Sequence, residues 1–328
     1  MVNYINNYFL ILFSFFPISL ILGSSASLIN MILIDISFLL FLFYLKDFSF
    51  FKNRAFQYLS FFYIYLIFNS LISIDQSIGI YRNLGFLRII IFFLAMNYFF
   101  KEKKFFEKVL YAWSLIITVV LIDVLVESFT GENILGYGAL YGRRIVSFFK
   151  DEPIVGGYLN GFYLVIIGFF QFKFGKNNKN LITIFSLLIF ISILLTGERS
   201  NSIKALLGII LFYAFFKEYQ IKYKLVSIFA GLFILLSIIF SSDFLKFRYV
   251  DQIQKNLEGK FIDNYLVHYK SAYNIFKENK LFGVGNKNYR LEACSKFQEK
   301  AKTIIAEFGV PSEKLGSWGD KADKLINK

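Results

Sequence analysis

The chain has 328 residues, of which 56% are hydrophobic and 20% aromatic, and its mean hydropathy is +0.55. This apolar share exceeds that of a soluble domain and predicts a polytopic membrane protein. A net charge of +13 would suggest nucleic acid in a soluble protein, but lysines between membrane helices account for much of it, so we expect no nucleic-acid partner. Because Cys294 and His268 are each the one residue of their type, a disulfide within the chain and a cysteine- or histidine-rich metal site are excluded.

Apolar stretches long enough to cross a hydrocarbon core of ~30 Å recur along the first part of the chain. They predict an all-α polytopic membrane helix bundle of about nine transmembrane helices. The stretches lie near residues 8–23, 28–45, 56–74, 84–100, 108–126, 156–174, 180–196, 200–216 and 223–241. We therefore expect residues 1–241 to form the bundle with a long outer-face loop at 127–155, and residues 242–328 to form an amphipathic and polar outer-face segment.

Lysines gather in alternate loops, after the second, fourth, sixth and eighth predicted helices. They are Lys46, Lys52, Lys101, Lys103, Lys104, Lys108, Lys173, Lys176, Lys179, Lys217, Lys222 and Lys224. Basic loops of membrane proteins stay in the cytoplasm. The pattern predicts a cytoplasmic N-terminus and places residues 242–328 on the outer side.

Arginines are concentrated in the segments predicted to lie outside, and orientation rules do not explain them there. They are Arg82, Arg88, Arg143, Arg144 and Arg199. Arginine stays charged and offers a planar fork of donors, which suits phosphate groups. The pattern predicts an anionic ligand at the outer face.

Two arginine-bearing segments are the strongest candidates, and each has a plainer interpretation. The run from Gly142 to Pro153 carries Arg143, Arg144 and Lys150, but it could be a solvated basic loop paired with Asp151 and Glu152. The turn from Thr196 to Ser202 places Arg199 between two apolar helices, where ionisable groups are usually functional. Its alternative role is to reach the lipid headgroups with Glu198 as a partner.

Two acidic residues lie in the fifth predicted span. Asp123 and Glu127 are four residues apart and therefore share a helix face. They could relay protons, or they could pair with a cation such as Arg82, Arg88 or Lys204 inside the bundle.

The tail contains an amphipathic stretch at residues 261–280. Aromatic and small residues recur there at helical spacing: Phe261, Tyr265, Tyr269, Ala272, Tyr273 and Phe276. They predict a helix that lies on the membrane surface or caps the bundle. Gly283-Val284-Gly285 then ends it.

Three motifs in this order resemble those of the O-antigen ligase/polymerase family. They are the arginine-bearing loop, the turn Thr196-Gly197-Glu198-Arg199-Ser200, and the tail run His268-Tyr269-Lys270-Ser271-Ala272 through Asn279-Lys280-Leu281-Phe282-Gly283-Val284-Gly285-Asn286. The resemblance covers roughly residues 140–290. Lys280 stands where the family commonly has proline, and Glu198 where it commonly has a small residue.

The resemblance implies glycosyl transfer at the outer face of the bacterial inner membrane, in surface polysaccharide or lipopolysaccharide biosynthesis. Such proteins take an oligosaccharide from polyprenyl pyrophosphate and transfer it to a glycan or lipid acceptor. It implies that Arg143 or Arg144 and Arg199 hold the pyrophosphate, and Arg82, Arg88 and Lys150 are possible supporting residues. No cofactor and no metal is expected, and ligase and polymerase stay open.

One departure concerns the general base. The family carries a histidine-bearing segment later in the chain, followed by further membrane helices, and the sequence to Lys328 contains none. His268 belongs to another motif, and Glu198 and Asp151 are the alternative proton acceptors. We expect an incomplete version that does not catalyse transfer by itself. The rival hypotheses are a flippase or transporter of lipid-linked glycans and a non-catalytic membrane scaffold.

Overall fold

The computed structural model describes residues 2–46, 49–138, 144–150, 152–175, 178–215, 221–251, 254 and 264–293. Throughout these ranges the regular structure is helical, without strands, which confirms the predicted all-α class. The helices are α1 Val2–Ile21, α2 Ser24–Leu45, α3 Arg54–Leu71, α4 Gln76–Leu84, α5 Leu87–Phe99, α6 Lys103–Thr130, α7 Val155–Phe174, α8 Lys179–Leu195, α9 Arg199–Phe215, α10 Ile221–Ser241, α11 Asp243–Lys246 and α12 Asn264–Glu278. A short π-helical segment, Phe247–Asp251, follows α11.

Several helices are long and apolar enough to cross a membrane, which supports the prediction of a membrane protein. Within the described residues there are five such stretches: Tyr4–Ile21, Ser24–Leu45, Gln76–Phe99, Lys103–Thr130 and Val155–Phe174. Each of the nine predicted stretches contains a helix, but α8 is a shorter apolar helix of 17 residues. The number of nine spans and their orientation therefore stay predictions.

The fourth predicted stretch differs from the structure in its beginning. One candidate span combines α4 and α5, and the helix breaks at Gly85, where the N–H of Phe86 bonds to Asn83 O at 3.0 Å. The sequence did not predict α4 as part of a span, because its polar residues make its mean hydropathy far lower than that of α5.

The chain divides into two compact units. The first combines Met1–Ser37 with the described residues between Met96 and Phe261, and the second combines Phe38–Ala95 with the described part of the tail. The sequence boundary predicted at residue 241 separates membrane from outer segments rather than packing units, and it stays a prediction.

In the first unit, α7 packs against α8 and α9, and α6 packs against α1, α7 and α8. Lipid gives little hydrophobic drive between helices, so close packing and polar links between helices matter more than in water. Trp113 on α6 donates its indole N–H to Phe13 O on α1 at 2.7 Å, and Tyr163 on α7 contacts Ser186 on α8 at 3.1 Å. Both links are buried and fix which helices are neighbours.

In the second unit, α3 packs against α4, and the tail turn, defined as residues 282–288, packs against the turn between them. Asn288 is fully buried and pairs with both backbone groups of Asp75: its Oδ1 accepts from the N–H at 2.8 Å, and its Nδ2 donates to the carbonyl at 3.2 Å. Asn69 donates to Phe282 O at 2.6 Å, and Asn286 donates to Asn83 Oδ1 at 2.6 Å.

Helix α12 confirms that part of the predicted amphipathic stretch is helical. Tyr269, Tyr273 and Phe276 are exposed, whereas Ile275 is buried. Phe261 lies outside the described residues, and so does the side chain of His268, although the backbone of His268 is helical.

Candidate functional site

The loop between α6 and α7, residues 131–154, folds back on the end of α6. Gly131 ends α6 with a φ of 86°, and its N–H bonds to Glu127 O at 2.9 Å. Asn133 holds the loop together, because its Oδ1 accepts from the N–H groups of Leu135 and Tyr137, and its Nδ2 donates to Ser147 O at 2.8 Å. The two ends of the loop are thereby joined.

The acidic pair of α6 anchors this loop. The two carboxylate oxygens of Glu127 accept from the N–H groups of Val146 at 2.9 Å and Ser147 at 2.7 Å. Asp123 accepts from the N–H of Ile134 at 3.0 Å and from Ser147 Oγ at 2.5 Å. Both acids are buried, and buried charge is tolerable when several donors satisfy it. The partners given by the structure are loop donors instead of the cations considered from the sequence.

Ser147 and Gly138 of the loop both have a positive φ in this arrangement. Ser147 has a φ of 50°, a left-handed value that costs a residue with a side chain about 1–2 kcal/mol. Gly138 has a φ of 137°, and a Cβ there would lie 2.8 Å from Gly131 O and 2.9 Å from Glu127 Oε1. A glycine is therefore required where the loop passes the Glu127 carboxylate.

A cavity of about 690 Å³ lies beside the anchored loop. It is lined by the end of α6, by α8, by the end of α10 with α11, and by the loop, and the lining residues that matter here are Leu125, Glu127, Phe129, Arg144, Ile191, Leu195, Ile238 and Phe244. The lining thus combines apolar side chains with the charged Glu127 and Arg144. The buried Nε of Arg144 has no hydrogen-bond acceptor within the described part of the chain.

The turn between α8 and α9 is held by Glu198. Its Oε1 accepts from the N–H of Gly156 at the start of α7 at 2.9 Å, and its Oε2 accepts from Asn201 Nδ2 at 2.5 Å. A Cβ on Gly156 would lie 2.7 Å from Thr196 Oγ1, so glycine permits this close approach. Glu198 therefore fixes the start of α7 against the turn that carries Arg199.

The chain after α10 covers the same turn. Gly197 has a φ of 71°, and the ring of Phe244 lies 3.1 Å from where its Cβ would be. Arg248 donates to Gly197 O at 3.3 Å, and the Tyr249 hydroxyl donates to Leu194 O at 3.1 Å and lies 2.7 Å from Ser202 Oγ. Burial raises the pKa of Tyr249, although its bond with Ser202 and the nearby arginines oppose that shift.

The sequence did not single out Tyr249, Arg248 or Phe244. The available signal was their position directly after the last apolar stretch, where the chain leaves the bundle. The partners on α8 and α9 lie about fifty residues earlier and cannot be read from spacing.

The predicted phosphate ligands have different surroundings. Arg144 lines the cavity, and Arg199 is the half-buried first residue of α9, close enough to Tyr249 to affect its pKa. Phe244, a wall of the cavity, packs on Gly197 two residues before Arg199. The convergence of Arg144 and Arg199 on one ligand stays a prediction.

The remaining candidates stay predictions too. Arg82 and Arg88 are exposed on α4 and α5 of the second unit, and Lys150 is exposed with a φ of 55°. Arg143 and Asp151 lie outside the described residues.

Comparison with known families identifies one region. Residues 184–309 match the family model described as O-antigen ligase. The match begins within α8 and includes Arg199, Tyr249 and His268, while Arg144 and the acidic pair of α6 precede it. Searches of the curated proteins and of the solved structures found no match.

Proposed function

We propose that this chain, whose residues 184–309 belong to the O-antigen ligase family, takes part in glycan transfer from polyprenyl pyrophosphate at the outer face of a bacterial inner membrane. The acceptor is a glycan or a lipid, and the reaction serves surface polysaccharide biosynthesis. In this orientation the N-terminus is cytoplasmic, and the α6–α7 loop and the tail are outside.

The cavity beside Arg144 is the observation that carries the proposal. Arg144 lines this cavity, and its guanidinium offers a planar fork of donors that suits an oxyanion. Leu125, Ile191 and Ile238 also line the cavity, and a polyprenyl chain would pack on such apolar side chains. An amphipathic ligand with an anionic head and an apolar chain therefore matches the mixed lining.

The chemistry assigned to this site is charge stabilisation. When the glycan leaves its carrier, negative charge grows on the pyrophosphate, and preorganised donors that face that charge lower the barrier. Arg144 supplies one guanidinium, and Arg199 supplies a second if the two loops converge. A lysine at either position keeps the charge but loses the planar fork.

Transfer to a hydroxyl also needs a proton acceptor, which typically contributes about 10²–10⁴-fold. Both oxygens of Glu198 already accept hydrogen bonds, so its use as a base would break the link between α7 and the α8–α9 turn. His268 on α12 is therefore the first residue to test as the proton acceptor within this chain.

The test measures transfer by purified protein in proteoliposomes with a polyprenyl-pyrophosphate-linked oligosaccharide and an acceptor. We expect Arg144→Lys and Arg199→Lys each to lower the transfer rate at least tenfold at an unchanged protein level. Arg54→Lys, an exposed change at the start of α3, is the matched control and should leave the rate unchanged.

The same vesicles separate transfer from transport. A flippase would move a fluorescent lipid-linked glycan between leaflets without forming a new glycosidic bond. Movement without product would favour the transporter, whereas full transfer by both lysine variants would contradict the arginine assignment.

A further inference from the structure

We infer that Glu127 and Asp123 are positioning residues that fix the backbone next to Arg144 and so aim its guanidinium at the cavity. This inference rests on the proposed function, because it assigns Arg144 to the ligand. It gives a role to two buried acids that the proposed reaction does not otherwise use.

Glu127 grips the chain close to the arginine. Its carboxylate accepts from the N–H groups of Val146 and Ser147, which are two and three residues after Arg144. Glu127 and Arg144 both line the cavity, together with Ile145, which follows Arg144 in the loop. The hydrogen bonds of Glu127 therefore hold the backbone two residues after Arg144, which restricts the position of the Arg144 backbone.

Asp123 adds a second grip one helical turn earlier. It binds Ile134 at one end of the loop and Ser147 at the other, and Asn133 bridges to Ser147 O. Ser147 thus has its N–H, its hydroxyl and its carbonyl all engaged. These bonds offset the strain of its left-handed φ, so the turn would relax if the acids were removed.

The choice of acid over amide also follows from the geometry. A carboxylate only accepts, and both oxygens of Glu127 face N–H donors. A glutamine would turn an NH₂ group toward one of those donors and lose that bond. The Glu127 carboxylate also accepts from the N–H groups of Val146 and Ser147, so these groups are not available to an oxyanion in the cavity. The oxyanion would therefore bind the guanidinium of Arg144.

If Glu127 acted only through its charge, Glu127→Gln would change KM in the opposite direction. A negative charge on the cavity wall repels an anionic substrate, so Glu127→Gln would lower KM if the charge acted directly on the ligand. If Glu127 holds the loop, the same change misplaces Arg144 and raises KM. The direction of the KM change therefore distinguishes the two roles.

The experiment uses the full chain in proteoliposomes with the same lipid-linked substrate. We expect Glu127→Gln to raise KM and to lower kcat/KM on the order of 10²-fold, a loss that a small misplacement of a catalytic group can cause. The control is Glu107→Gln on the same helix, whose half-buried side chain forms an ion pair with Lys173 at 2.7 Å at the other end of the helix. That variant should keep kcat/KM within about twofold, since neither Glu107 nor Lys173 lines the cavity.

A double variant tests whether the acid acts through the arginine. In an Arg144→Ala background, Glu127→Gln should change kcat/KM by less than about twofold, because coupled residues are not additive. A further large loss in that background, or a lower KM for Glu127→Gln alone, would overturn the inference.

A readout without catalysis separates this inference from the proposed function. Trypsin cleaves after Arg143 and Arg144, and we expect Glu127→Gln and the milder Ser147→Ala to speed this cleavage in folded protein, whereas Glu107→Gln does not. Equal cleavage rates in all variants would overturn the positioning role. Faster cleavage together with unchanged glycan transfer would instead overturn the assignment of Arg144 to the ligand.

Discussion

Two loops of this protein are held by distant polar side chains, yet by different chemistry. The α6–α7 loop is held by the carboxylates of Asp123 and Glu127, which accept from N–H and O–H donors. The tail turn is held by neutral amides, of which Asn288 both accepts from and donates to Asp75. Bonds to charged groups contribute about 1.5–3 kcal/mol each and neutral ones about 0.5–1.5 kcal/mol.

The difference shows which backbone groups a carboxylate and an amide can each bind. An acceptor-only carboxylate fixes a turn by its N–H groups, and it suits a loop whose backbone must be rigid next to a charged ligand. An amide can satisfy a donor and an acceptor of one residue at once, so Asn288 replaces the missing backbone partner of Asp75 without adding charge. The α6–α7 loop is therefore held by charged side chains, whereas the tail turn is held by neutral ones.

The largest effect is expected from Gly138→Ala, which breaks the charged anchor. The new Cβ would lie 2.9 Å from Glu127 Oε1 at a φ of 137°, so strain and crowding together should cost about 2–5 kcal/mol. Gly136→Ala has a φ of 80°, nearer the left-handed region, and open space around it, so it should cost only about 1–2 kcal/mol. Thermal unfolding in detergent compares the two, and equal losses would mean that the crowding of Gly138 by Gly131 O and Glu127 Oε1 contributes nothing.

A moderate effect is expected from Asn288→Ala, which breaks the neutral anchor. Both backbone groups of Asp75 lose their amide partner, at a cost of roughly 1–3 kcal/mol. Asn279→Ala removes an amide that bonds only within its own helix turn and serves as the control. If both variants unfold at the same temperature, the tail turn is not held by Asn288.

The smallest effect concerns the one carboxylate at the neutral anchor. The side chain of Asp75 caps α4, and its bond from the Ser77 hydroxyl, followed by the Ile78 N–H, holds its pKa below the ordinary value of 3.8. A lowered folded pKa stabilises the protein above the unfolded pKa, and that contribution is lost as pH falls through the folded value.

Asp75→Asn keeps a capping side chain and removes the charge. We therefore expect the variant to have a slightly lower melting temperature at pH 7 and to match the unchanged protein near pH 3. A difference that stays constant between these pH values would show that the charge of Asp75 contributes nothing.

The sequence predicted the elements better than their connections. Apolar runs located the helices within a few residues, because a membrane span needs a fixed apolar length. Three motifs in order, one of them the turn at Arg199, indicated the O-antigen ligase family, and the model of that family matches residues 184–309. The partners of Asp123 and Glu127 could not be predicted, since every residue except proline carries a backbone N–H and sequence does not mark the ones that are used.

The bond between Asp75 and Asn288 has a consequence for the order of assembly. The two residues are 213 positions apart, so the turn between α3 and α4 is synthesised long before its partner. At translation rates of about 5–20 residues per second, it waits about 10–40 s. During that interval α6 to α10 are synthesised and the first unit can pack. The second unit begins early in the chain, but it can complete its packing only after Asn288 has been synthesised, so it is the last to be completed.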